Sequence, residues 1–143
     1  MALYVAAANF AWKTLKTESE STVMRLMVFL SSPEGSIDHA EVNAWIPSPK
    51  QLADLQVSYP WVKSMGATDV GNLGAKAFLK LGRDDDACEL ARLIISTEPK
   101  LEKKWRLMSA HGILGQVAAK RGNLDESESH FASALEEAKL SRL

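Results

Sequence analysis

Cysteine is the scarcest chemistry in this chain. Cys88 stands alone among 143 residues, so no internal disulfide can brace the fold and no cysteine-rich zinc site can form. A reducing compartment, or a fold indifferent to redox state, is expected. Long apolar runs are missing too. The best two, residues 2–12 and 23–30, are broken by Asn9 and Arg25, and both fall short of the roughly 20 residues a membrane helix needs. No membrane-spanning segment is expected. Nothing positive precedes the first run, and Glu18 and Glu20 follow it, which argues against a secretory leader. Charge of one sign is also lacking: 17 basic and 18 acidic residues leave a net charge of -1. No broad field therefore favours nucleic acid or an anionic lipid surface. Sustained period-two alternation with β-branched enrichment is absent, which removes a sheet. The expectation is a soluble intracellular protein, cytoplasmic or inside an organelle, with no homo-oligomer indicated.

What is present reads as helix. The apolar fraction of 46% and charged fraction of 24% are those of an ordinary globular chain, and the length suits one domain. Prolines divide it unevenly: Pro33, Pro47, Pro49 and Pro60 precede residue 68, and only Pro99 follows. Residues 1–67 are thus expected to form short helices and proline-containing turns. Leu3, Ala7, Phe10, Ala11 and Leu15 make one helical stripe; after a polar break at residues 17–21, Val23, Leu26, Met27 and Leu30 make another. Ser36 is the expected cap of a helix reaching about Trp45, with Asp38 in its first turn. Ser48 before Pro49 predicts a cap with proline at the first helical position, opening a helix near residues 50–57.

From residue 68 the helices lengthen. Thr68 is the expected cap of a helix that Gly82 ends, and Asp84 caps the next, which stops before Pro99. A long helix is predicted from about Lys100 to Arg121, about 33 Å at 1.5 Å per residue. Gly122 ends it, and a last helix runs from Leu124. Glycine followed by an acidic residue occurs at both turns. Two antiparallel helix pairs result, over residues 68–99 and 100–143.

These pairs resemble the tetratricopeptide repeat, a helix–turn–helix unit of about 34 residues. In the second pair Leu114 and Gly115 fill the Leu-Gly slot, and Ser127, Phe131 and Ala134 fill the small, aromatic and small slots of the second helix. His111 stands where Trp is usual and Ala118 where Tyr is usual. In the first pair Phe78 fills the aromatic slot, Ala87 a small slot and Pro99 the closing proline, while Gly74 and Ala75 replace Leu-Gly and Ala91 replaces an aromatic. The resemblance covers about residues 68–142. It implies an all-α fold of antiparallel helix pairs stacked as a short α-solenoid, with residues 1–67 packing on the array as a possible degenerate repeat. Small residues on facing helices (Ala75 with Ala87, Gly115 with Ser127) are expected to bring backbones close, with Phe78 and Phe131 filling the adjoining grooves.

Chemistry-bearing residues are few. His39, His111 and His130 lack metalloprotease spacing. His111 is read as a core-facing residue, His130 as a surface or stacking contact, and His39 beside Asp38 and Glu41 as too sparse for a metal site. Asp84, Asp85 and Asp86 lack the spaced ligands of a calcium loop and are read as helix-start residues. Cys88 is read as buried and structural rather than nucleophilic. No phosphate loop, dinucleotide fingerprint or nucleophile elbow occurs, so neither an enzyme nor a cofactor is expected. Trp12, Trp45, Trp61 and Trp105 are read as core or loop-pinning rings.

Binding has better candidates. The resemblance implies that the first helix of each pair lines a concave surface, where Asp69, Asn72, Lys76, Leu79 and Lys80 would be followed by Ser109, Gly112, Gln116, Ala119 and Lys120. The lysines would make it locally positive. On the last helix Leu135, Ala138, Leu140 and Leu143 leave an apolar edge, and repeat arrays need such an edge covered. The expected function is a non-catalytic protein–protein interaction module, a scaffold or peripheral subunit whose partners are other protein subunits. The alternative is a chaperone-like adaptor that takes a short acidic or C-terminal peptide in the groove.

Overall fold

The computed structural model describes residues 18–58, 70–97 and 104–140. All regular structure among them is helical. In chain order the helices are α1 (Glu18–Ser31), α2 (His39–Trp45), α3 (Pro49–Ser58), α4 (Val70–Lys80), α5 (Asp84–Thr97), α6 (Lys104–Lys120) and α7 (Leu124–Leu140). The stripe expected at Leu3, Ala7, Phe10, Ala11 and Leu15, the cap expected at Thr68, and residues 98–103 lie outside the described residues.

Local starts and stops follow side-chain chemistry, with three departures from expectation. α1 begins at Glu18, inside the stretch read as a polar break. Its buried face is Val23, Leu26 and Phe29, while Met27 of the expected stripe turns to solvent. α2 is capped by Asp38, not Ser36: the Asp38 carboxylate accepts from the Ala40 N–H at 3.0 Å. Ser36 instead donates its hydroxyl to the Pro33 carbonyl at 2.6 Å. Aspartate is the stronger helix starter here because its charge also meets the positive helix end. Asp84 lies inside the first turn of α5 with Asp85 and Asp86, one place later than a cap.

α3 starts as expected. Ser48 Oγ accepts from the Gln51 N–H at 3.2 Å and Gln51 Oε1 accepts from the Ser48 N–H at 2.9 Å, a reciprocal capping box ahead of Pro49. Both later turns also close alike. The Arg83 N–H reaches the Phe78 carbonyl and the Gly82 N–H the Leu79 carbonyl; Asn123 and Gly122 repeat this with Ala118 and Ala119. Gly82 and Gly122 have φ of 77° and 79°, the left-handed geometry that this ending demands.

The three-residue turns fold α4 back on α5 and α6 back on α7, and α5 packs on α6 to join the two pairs. α1 lies against α4, and α3 lies against both α4 and α5. Two glycines of α4 let its neighbours come close: an added Cβ at Gly71 would stand 3.0 Å from Ile94 of α5, and one at Gly74 would stand 2.7 Å from Leu52 of α3 and 3.1 Å from Leu90 of α5. One apolar core runs from Val23 of α1 to Val117 of α6. Among the described side chains of α7 none belongs to it, and Ser127 alone is buried.

Candidate functional site

Five residues expected in a groove do come together. Asn72 and Lys76 of α4 and Ser109, Gly112 and Gln116 of α6 line an open cavity of about 360 Å³ with Ile113. Helical spacing explains the set: residues 72 and 76, and 109, 112, 113 and 116, each share one helix face. Lys76 and Gln116 stand exposed on the rim. Asn72 is buried, and its Oδ1 has no hydrogen-bond partner. Gly112 leaves open space where a side chain would project. The cavity can take a group that sets negative charge near Lys76 and offers polar atoms to Gln116 and Ser109.

The other expected groove residues are placed differently. Lys80 is turned away to α1, where its Nζ donates to the carbonyls of Phe29 at 2.6 Å and Ser32 at 3.0 Å and sits 4.7 Å from the Phe29 ring centre. It caps the negative end of α1 and gives the groove no charge. Leu79 packs half-buried against the core. Lys120 pairs with Asp84 at 3.0 Å. Asp69 lies outside the described residues.

Asp84, Asp85 and Asp86 are each answered by a cation. Lys120 meets the first, Arg121 the second at 2.6 Å and Arg83 the third at 2.8 Å. Arg83 also donates to Asn43 Oδ1 at 3.0 Å and covers the Phe78 ring. The acidic run thus ties the turn after α4 to the turn after α6. No group of three or more metal-ligating side chains with suitable placement occurs among the described residues.

Between α6 and α7, Ser127 Oγ donates to the Gly115 carbonyl at 2.9 Å, and the Phe131 ring fills the space a Gly115 side chain would need. The close contact expected from these small residues is present. One turn away the His111 and His130 rings stack with centres 6.2 Å apart. His130 approaches Glu126 at 3.4 Å. The enclosed Nδ1 of His111 and Oε2 of Glu137 have no hydrogen-bond partners. Burial, then the charge of His130, pushes the His111 pKa below its ordinary value, against a smaller upward pull from Glu137. Sequence reasoning missed this stack. The antiparallel pairing of Gly115 with Ser127 was its signal, because that register sets residue 111 beside 130 and 131.

Cys88 is buried, and burial is the leading cause that raises its thiol pKa. His39 meets Phe29 edge-on at 5.7 Å. Trp45 packs half-buried on the core beneath the Arg25 guanidinium, 5.3 Å from its ring centre. Trp12 and Trp61 lie outside the described residues, as does Leu143; Leu140 closes α7. Leu135 is exposed, as expected of an apolar edge. No described helix is long and apolar enough to cross a membrane. No protein-family model, curated protein or solved structure matches the chain.

Proposed function

We propose that this chain is a non-catalytic protein–protein interaction module, a scaffold or peripheral subunit built as a short tetratricopeptide-like array. The observation that carries this reading is the apolar side of α7: Leu124, Phe131 and Leu135 stay exposed, and none of the described side chains of α7 joins the core. Stacked helix pairs bury their apolar faces against neighbours, and an uncovered terminal pair is a docking surface. The paired glycine turns and the Gly115–Ser127–Phe131 contact support the repeat reading. Affinity capture from native extract tests it with Leu135→Glu and Lys76→Glu variants. A reproducible set of partners lost only from Leu135→Glu supports a subunit docked through this edge; no reproducible partner overturns it.

The second reading, an adaptor for a short acidic or C-terminal peptide, is favoured by the cavity shared by Asn72, Lys76 and Gln116. Lys76 is the one charged residue among the described residues that line it. Salt-sensitive binding of an acidic peptide, lost in Lys76→Glu, supports this reading. Lys80 is unsuited to that test because its removal disturbs α1.

A further inference from the structure

The exposed side of the second helix pair has a shape and a charge pattern that select among partners. Leu124, Phe131 and Leu135 fall on one stripe of α7 and are 69%, 44% and 57% exposed. Beside them, Met108 of α6 stands two turns before Gly115 on the face that Phe131 covers, and is 37% exposed. Between them is Gly112, which has open space above it. A ridge of large apolar side chains on α7 thus runs beside a low strip on α6. That relief fits the ridge of a third helix.

The charge is mainly acidic. Within about a third of a turn from Leu124, on the solvent side, helical spacing places Asp125, Glu128 and Glu136, all exposed. Lys139, the one lysine on α7, falls on the same side. We infer that this end of the molecule receives an amphipathic helix of a partner protein, whose apolar ridge enters the strip and whose lysines or arginines meet the carboxylates of α7. The inference rests on the interaction-module reading and names the partner's chemistry. Apolar contact supplies most of the binding, while the carboxylates set orientation and partner choice. A second copy presenting the same face of α7 brings only Lys139 to meet those carboxylates.

Two synthetic peptides of about 18 residues test the proposal against the full-length protein. They share one leucine stripe at helical spacing and differ in flanking lysines or glutamates. Fluorescence anisotropy is expected to show the lysine peptide binding at least about tenfold more tightly, and weakening as salt rises from roughly 50 to 300 mM. Leu135→Glu is expected to abolish binding while its circular-dichroism melt stays near that of the parent. Glu128→Lys/Glu136→Lys is expected to shift preference toward the glutamate peptide. Equal binding of both peptides, no binding, or binding that survives Leu135→Glu overturns the proposal. Sedimentation separates its failure from that of the broader reading. Concentration-dependent self-association lost in Leu135→Glu would keep the interaction surface but replace the basic helix with a second copy.

Discussion

The first pair, α4 with α5, and the second, α6 with α7, share the same turn but have opposite surroundings. Gly82 and Gly122 end their first helices with the same two hydrogen bonds. Yet α4 is buried along most of its length, with α1, α3 and α5 against it. α7 rests mainly on α6 and, among its described side chains, buries only Ser127. Local chemistry builds both hairpins, whereas burial is unequal because neighbours cover only one. Stability is expected to concentrate in the first pair and recognition in the second.

The sharpest break between the pairs is expected from truncating leucines. Leu90→Ala, at a fully buried site beside Gly74, should cost about 2–5 kcal/mol. Leu135→Ala on exposed α7 should change stability by no more than about 0.5 kcal/mol. Urea unfolding of both variants measures the gap, and equal losses would abolish the contrast.

Two lysines one helical turn apart give the next largest difference. Lys80→Ala leaves the end of α1 without its charged donor and should cost about 1.5–3 kcal/mol. Lys76→Ala, on the open rim, should stay within about 0.5 kcal/mol. The same unfolding measurement decides whether Lys80 is structural or belongs with the groove.

A smaller effect distinguishes the pairs by pH. The native His111 pKa lies below its ordinary 6.5, so the folded chain binds fewer protons than the unfolded one. Stability therefore falls as pH drops through about 6.5, levelling off only below the depressed native value. Melting curves from pH 8 to 5 should show this loss reduced in His111→Leu. Nuclear magnetic resonance titration of the imidazoles should show His111 protonating after an ordinary histidine. The smallest change is expected at Cys88 of the first pair, whose raised thiol pKa and burial predict no labelling by iodoacetamide at pH 7.5 until the chain is unfolded. Rapid labelling of native protein would mean that α5 opens readily.

Much of this was legible in the sequence, for identifiable reasons. Gly82 and Gly122 marked both turns because few residues tolerate positive φ. Ser48 and Pro49 marked the start of α3 because a cap and a fixed φ act within a few residues. The groove was legible in part: Asn72, Lys76, Ser109, Gly112 and Gln116, which the repeat resemblance implied for one surface, line one cavity. Lys80 was misplaced because the period gives the direction of a long side chain at its root but not where its ammonium ends. Asp38 displaced Ser36 because two capping residues stood two positions apart.

The sequence by itself determined the helical class and the punctuation of the hairpins. Each depends on residue type and on neighbours within a few positions. Tertiary structure decided which faces are covered. It set Lys80 beneath α1, answered Asp84, Asp85 and Asp86 with cations from both turns, stacked His111 on His130 and left the α7 ridge bare. These outcomes depend on contacts between residues distant in the chain, where packing and desolvation, not local propensity, select the arrangement.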